Sequence, residues 1–417
     1  MAKILIHTLV FSPDGVSTAY LMTDLALELK KMGHEIVVLT TTPHFNILPE
    51  SLKDQPLKKY FGHWLYSSAL NGIKIWHVKM PLKKEDATER IWDMISFHFL
   101  SLVFGFTLAG SWDVVLSPSP PLSIGVISWL LGLKCSAPSI YNVQEIYPDF
   151  AIRQNIISNP FMVKCLKFIE RFVYARSKAV TAIAESFRKV IESRVNDRNK
   201  LKVIPNFVDI DLYKVLPRDN QFSRQYGLLE DFLVSYSGNI GIAQEWDVLL
   251  FAASELKDLP IKFLIVGDGV KKPWLEEEVR KRNLNNILIL EYQPRTLMPW
   301  INASSDLTMI LLTKDGSRDG FPSKIYTTMA CGKPSIVYAS TDSELASIVE
   351  QSGCGRLIPI GNREGFLNAI VDAYHCPDTL RLEGEKGRQF IEKHFSKEVV
   401  ARQYNELIIK LIAKRKK

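Results

Sequence analysis

The stretch KILIHTLVFSPDGVSTAYLMTDLALELKKMGHEIVVLTT, residues 3–41, decides how this chain folds. KILIHT is a short apolar run with the look of a strand. LVFSPDGVSTAY follows, where proline and glycine mark a loop, and apolar residues then recur at helical spacing through Leu29. Gly33 ends that helix, and Ile36–Thr40 is a second β-branched run. Strand, glycine loop, helix and strand form the unit of a parallel, doubly wound sheet.

Outward from this unit, Ile73–Val78, Val114–Ser117, Ser139–Val143 and Ala179–Ile183 are the next strand candidates, with helical patterns between most of them. The second half repeats the rhythm. DFLVSYSGNIG (231–241) runs a strand into a glycine turn, and EWDVLLFAASELKD (245–258) is helical by its apolar spacing. IKFLIVGDG, NILILEYQ, DLTMILL and PSIVYAS are further short β-rich runs, and two or three amphipathic helices are expected over Thr379–Lys417. KVIPNFVDIDLYKVLPRD (202–219), with two prolines, breaks the pattern and marks the join. At 417 residues the chain exceeds one core. The expected architecture is α/β: two Rossmann-like doubly wound domains facing each other across a cleft. The expected boundaries are 1–205, 206–385, and a C-terminal helix over 386–417 packing back on the first domain.

Composition sets limits on function. Apolar residues at 47% and charged residues at 23% are those of a soluble globular protein, and a net charge of +7 suits an anionic ligand or membrane surface without implying nucleic acid. Five scattered cysteines with no CxxC imply buried thiols in a reducing cytosol. No signal peptide is visible, so a cytoplasmic location is expected. Met94–Ser111 lacks Asp, Glu, Lys and Arg across 18 residues; its glycines, histidine and threonine favour a buried or membrane-surface helix over a transmembrane span.

Ligands of doubly wound sheets sit outside the carboxyl ends of the strands. Two glycine turns there, SPDGVST (Gly15) and SGNIG (Gly238, Gly241), could admit a diphosphate, although neither spells a dinucleotide fingerprint or a P-loop. VGDG (266–269) reads as a plain turn. RDGFPSKIYTTMACGKPSIV (318–337) is the most informative loop. Pro322 and Ser323 resemble a helix start with Ser as cap, Gly332 a stop, and Pro334 a block to continuation. Lys324 then falls in the first turn, where the helix dipole disfavours a cation. An anion nearby would explain it, with Arg318 aimed at the same place. Each charge-assisted bond to phosphate would contribute roughly 1.5–3 kcal/mol.

DGVSTAYLMTDLALELKKMGHEIVVLTT, IPNFVD, SYSGNIGIAQEWDVLLFAA, LIVGDG and DGFPSKIYTTMACGKPSIV occur in the order seen in family 4 glycosyltransferases of the GT-B fold. The PSKIY…ACGKP form resembles bacterial O-antigen and colanic-acid-type polysaccharide enzymes, including N-acetylfucosamine transferases. The resemblance covers nearly the whole chain. It implies retaining transfer of a sugar, N-acetylated in the nearest cases, from a UDP-linked donor held by the C-terminal domain. The acceptor, a lipid-linked saccharide, would belong to the N-terminal domain. It further implies that Gly15 and Val16 face the donor, that Gly238 and Asn239 lie under the diphosphate, and that Asp319, Gly320, Phe321, Pro322 and Ser323 touch sugar and phosphates. Glu291, Tyr292 and Gln293 would border the base. Glu145, in YNVQEIYPD, would reach the reacting centre.

The chain departs from the family pattern in places. Where many members carry two glutamates eight positions apart, it has Asp319 and Thr327, which puts ribose contacts in doubt. Asn239 and Gln244 stand where the family has Arg and Lys, so Lys324 and Arg318 are expected to carry part of the missing charge. Asp319, Lys324 and Glu145 are the candidate catalytic groups. DID (Asp209–Asp211) resembles the DxD of another transferase class but lies in the linker, and the eight histidines show no metal spacing; a metal-independent enzyme without cofactors is expected. The 91–111 segment, PPLSIGVISWLLGL and the basic tail suit peripheral attachment to the inner face of a membrane. Two other readings stay open: a nucleotide-sugar epimerase of the same fold, and a non-catalytic nucleotide-sugar-binding partner.

Overall fold

In the computed structural model, which describes residues 1–47, 49–81, 87–108, 110–153, 157–319 and 321–415, the 3–41 stretch forms β1 (Lys3–His7), the helix Ser17–Lys31 and β2 (Glu35–Thr41). The strands run parallel, in register from Lys3↔Glu35 to His7↔Leu39. Ile4 and Ile6 are fully buried and Leu5 nearly so. Burial on both faces is the mark of a central strand covered by helices on either side.

The described residues divide into two units, 1–206 with 397–417, and 207–396. The first unit is built on a sheet whose further strands are β3 (Lys58–Phe61), β4 (Leu65–Leu70), β5 (Ile73–Val78), β6 (Val114–Pro118), β7 (Ser139–Val143), β8 (Ala179–Ala182) and β9 (Leu201–Val203), in the order β3-β4-β5-β2-β1-β6-β7-β8-β9. Its parallel part follows the expected strands except for β9, which pairs with β8 where the join was expected to begin. Strands β3 and β4, antiparallel to each other and β4 to β5, are additional. KKYF and LYSSAL are too polar to stand out as strands, but Asn71–Gly72, both at positive φ between Leu70 and Ile73, is the two-residue turn that a hairpin needs.

The second unit carries β10 (Phe232–Ser237), β11 (Ile261–Val266), β12 (Ile287–Leu290), β13 (Leu307–Leu311), β14 (Ser335–Ala339) and β15 (Gly355–Pro359), all parallel, in the order β12-β11-β10-β13-β14-β15. The order reverses between β10 and β13, so the loops at their carboxyl ends flank the switch point.

The return to the first unit starts at Lys397, not 386. The helix Pro377–His394 stays in the second unit, where Arg388 donates to the carbonyls of Tyr213 (2.8 Å) and Ala330 (2.5 Å). The helix Lys397–Arg415 packs on Ser17–Lys31 through Val400, Ala401, Tyr404 and Ile408, an apolar stripe of helical period, and Asn405 meets His34 at 2.8 Å. The 94–111 segment lies mostly in a helix, Ala87–Thr107, and no helix among the described residues is long and apolar enough to cross a membrane. The expectation of buried thiols needs correction: Cys331 and Cys354 are buried, but Cys165 and Cys376 lie exposed on the outer faces of helices or their ends.

Candidate active site

In the second unit the loops after β10, β11, β12 and β13 gather at one edge of the sheet. Gly238, directly after β10, has φ +138°, which side-chain-bearing residues rarely adopt. A Cβ there would stand 2.9 Å from the Lys324 ammonium. Gly267 packs so closely that a Cβ on it would overlap the Gly238 carbonyl at 1.9 Å, and one on Gly269 would meet the Ile240 carbonyl at 2.4 Å. VGDG is therefore more than a plain turn: its glycines let two phosphate-loop candidates lie against each other.

The loop beyond Gly238 is held by its own side chains. Tyr236 donates its hydroxyl to the Asn239 carbonyl (2.6 Å), Trp246 donates to the Gly241 carbonyl (3.0 Å), and Gln244 accepts from the Gly241 N–H (2.9 Å). Gln244 thus shapes the loop at the position where the family carries a cation.

Lys324 opens the helix Lys324–Ala330, and Gly332, at φ +67°, stops the chain beyond it. Ser323 does not cap: its backbone is helical and its side chain makes no capping bond. The Lys324 ammonium lies 3.5 Å from the centroid of the Tyr236 ring, a cation–π contact. Among the described residues no carboxylate pairs with it. Burial pulls its pKa down to about 7. An ammonium kept over a ring, with no counter-charge among the described residues, is poised for an incoming anion.

Thr327 spends its hydroxyl on the Lys324 carbonyl (2.9 Å), and Thr328 does the same. Phe321 packs on Tyr326 with ring centroids 5.1 Å apart, which fixes the FPSK turn on the core. Arg318 and Asp319 close the short helix Lys314–Asp319 after β13, but their side chains and all of Gly320 lie outside the described residues.

Past β12, the exposed Glu291 carboxylate pairs with Lys272, whose side chain is 9% exposed. Gln293 donates to the Glu291 carbonyl (3.1 Å), and Tyr292 is exposed beside them. Lys272 is a cation of this loop cluster that sequence reasoning missed; its signal was a lysine at the start of a helix just after the VGDG turn, a helix-start position like that of Lys324.

In the first unit, Gly15 follows β1 and precedes Val16, the extended residue before the helix Ser17–Lys31. The buried Asp14 carboxylate accepts from the N–H groups of His44 and Phe45 (2.8 Å each), drawing that loop over Gly15, whose Cβ would lie 2.5 Å from the Asn46 carbonyl. Glu145 follows β7. Burial raises its pKa, and it raises that of Tyr147 in turn, after burial. Gln144 is locked to Asn206 by two reciprocal hydrogen bonds between their side-chain amides (2.9 and 2.8 Å), and Asp149 is held by Arg194 (2.5 Å), which also grips the buried Glu170 (2.8 Å). The Glu145 turn is thereby clamped on both sides. Asp209 of DID caps its own turn, accepting from the N–H groups of Asp211 and Leu212 (3.0 and 3.1 Å). That role explains its presence in the linker.

The glycosyl transferase 4-like domain model matches residues 18–206, and the glycosyl transferases group 1 model matches 231–375. The chain belongs to the family 4 glycosyltransferases. It is a transferase 24% identical over 413 residues to the putative colanic acid biosynthesis glycosyl transferase WcaI of Escherichia coli K12, across 96% of this chain and 98% of that one. Its structure resembles sucrose-phosphate synthase from Thermosynechococcus elongatus, with TM-score 0.74, 14% identity, and coverage of 99% and 100% of the two chains. It also resembles Anabaena HepE in complex with UDP-glucose, with TM-score 0.72, 15% identity, and coverage of 98% and 100%. The two parallel-sheet, Rossmann-like units of the transferase are those of the GT-B fold.

Proposed function

We propose that this transferase moves an N-acetylated sugar from a UDP-linked donor, with retention of configuration, onto a lipid-linked saccharide during synthesis of a cell-surface polysaccharide of the O-antigen or colanic-acid type. It would do so in the cytoplasm, at the inner face of the membrane. The carrying observation is the Lys324 ammonium beside Gly238, at the carboxyl edge of the second unit's sheet, with no carboxylate paired to it among the described residues. The UDP-glucose complex of HepE and the colanic-acid role in the name of WcaI support the donor and the pathway class.

Glycosyl transfer develops positive charge on the sugar and negative charge on the departing diphosphate. Stabilising that leaving group is an electrostatic task, and a preplaced cation in a desolvated setting performs it well. Lys324 takes this role, with the charge of Arg318 assigned to the diphosphate and the carboxylate of Asp319 to the sugar. Loop backbone at Gly238 and Asn239 lies under the diphosphate, the 291–293 segment borders the base, and the half-buried Glu145 of the first unit orients the acceptor. Thr327, committed to its own helix, leaves the ribose to other groups.

Assaying UDP-, GDP- and dTDP-sugars for transfer to a polyprenyl-diphosphate saccharide tests this reading. Transfer from a UDP-N-acetylsugar with retained anomeric configuration is expected. Binding without transfer, or interconversion of the donor in the absence of acceptor, would count against it.

A further inference from the structure

The first unit holds a groove of about 1210 Å³ between the β3–β4 hairpin, the β5–β2 edge of the sheet and the helix Ala87–Thr107. That exceeds the roughly 300–1,000 Å³ of an ordinary small-molecule site. Its walls are apolar and aromatic for most of their length. Phe61 of the hairpin meets Phe104 of the helix with ring centroids 5.8 Å apart, and Tyr60 stands edge-on to Trp76 at 4.6 Å.

Two features separate this groove from ordinary core. Its rim leaves large rings in the open: Tyr60 is 62% exposed, Phe61 61%, Trp64 53% and Phe99 64%. β3 is moreover an exposed edge strand, KKYF, with no residue of it buried. Lys58 and Lys59 guard the backbone edge itself, but the cluster of exposed rings beside it is a contiguous apolar patch that calls for an apolar environment the unit does not itself supply.

Charge along the lining is one-sided. The charged lining residues, Lys3, Glu35 and Lys74, all belong to the amino-terminal ends of β1, β2 and β5. Lys3 and Glu35 neutralise each other at 2.8 Å. Lys74 sits 4.2 Å over the Trp76 ring and, among the described residues, pairs with no acid. Lys134, donating to the Phe106 carbonyl (2.7 Å) and lying over Trp112, adds a second cation at this end. The opposite stretch, toward Trp64, Leu65 and Ser96, has no charged lining residue among the described residues.

We propose that this groove seats one acyl chain of an anionic bilayer phospholipid, with the headgroup against Lys74 and Lys134 and the chain running between the hairpin and the helix. Net positive charge at one mouth and an uncharged aromatic channel behind it match the two halves of such a lipid. The cationic mouth is at the amino ends of the strands, whereas ligands of doubly wound sheets react at the carboxyl ends. The occupant is therefore a lipid that is held and not transformed, and the proposal rests on the groove alone, independent of the sugar, the donor and the acceptor.

Titrating the full chain with 1-palmitoyl-lysophosphatidylglycerol below its critical micelle concentration, read by native mass spectrometry, tests it. One equivalent should bind. The double variant Ser96→Phe/Val103→Phe, which fills the groove at exposed positions while keeping the surface apolar, should weaken binding at least tenfold. Lys74→Glu should weaken it several-fold, and the phosphatidylcholine analogue should bind less well to the native chain. On phosphatidylglycerol vesicles with brominated acyl chains, the groove tryptophans should be quenched in the native protein and spared in the filled variant. No saturable binding, equal binding by the filled variant, or vesicle attachment without loss of quenching in that variant would overturn the proposal. So would a dimer that the filled variant dissolves, because a second copy would then occupy the face. An unchanged thermal unfolding midpoint in both variants establishes that folding is not the cause, and unchanged transfer to a water-soluble acceptor separates this test from that of the catalytic reading.

Discussion

Lys324 shows how one residue couples burial to ligand chemistry. A free lysine titrates near 10.4, and burial brings Lys324 to about 7. Between pH 7 and the unfolded value the unfolded chain binds a proton that the folded chain does not, so this lysine makes stability rise with pH across that window. A diphosphate beside the amine restores the ammonium, so binding above pH 7 takes up a proton. UDP affinity should then fall several-fold from pH 7 to 8.5, measured by calorimetry in buffers of different ionisation enthalpy. Lys324→Arg should flatten the slope, because a guanidinium stays charged; an unchanged slope in that variant would place the titration elsewhere. The sequence pointed to this lysine through its helix-start position alone. The tyrosine ring beneath it comes from β10, nearly ninety positions away in the chain, and no local pattern could reveal that contact.

Elements carry the site through contacts that are local in space and remote in sequence. Arg194 ties the helix Asp149–Arg153, just past the Glu145 turn, to Glu170 on the helix Pro160–Arg176. Glu170 is 2% exposed, so Arg194→Ala would leave a buried carboxylate without its partner, a loss of roughly 3–5 kcal/mol. Urea unfolding should show that loss, and hydrogen exchange should rise across residues 145–153. At the loop pair of the second unit, Gly267→Ala would force a Cβ into the Gly238 carbonyl. The β10 and β11 loops would have to part, with weaker UDP binding and a lower unfolding midpoint; a midpoint and affinity equal to the native protein's would show that the close approach is not needed. The glycines themselves stood out in the sequence as turns. Their mutual packing did not, because two glycine turns leave no pattern that says which one faces which.

At the scale of the whole molecule, period and punctuation carried most of the fold. Alternation of apolar runs with helical segments predicted most strands of both parallel sheets, since the central ones are buried on two faces and read as continuous apolar runs, whereas β9 and β15, only partly buried, did not stand out. The β3–β4 hairpin escaped because an exposed edge has no such run, leaving only Asn71–Gly72 as a clue. Acid should act unevenly on the chain. His7, His77 and His98, all in the first unit, are pulled down by burial to about 3, 4 and 4. Below pH 6.5 the unfolded chain takes up protons that these rings refuse, and each costs the first unit about 1.4 kcal/mol per pH unit until its own folded value is reached. Exchange protection in the first unit should therefore drop between pH 6.5 and 5 well before that of the second, and His98→Phe should blunt the drop.

The central claim is that Lys324 grips the donor diphosphate in a working transferase. Steady-state transfer from the preferred UDP-sugar by Lys324→Ala, beside calorimetric UDP binding to the same variant, tests it most directly. A loss of at least tenfold in both, with the unfolding midpoint kept, is the predicted result. Native turnover and native UDP affinity in Lys324→Ala would contradict it.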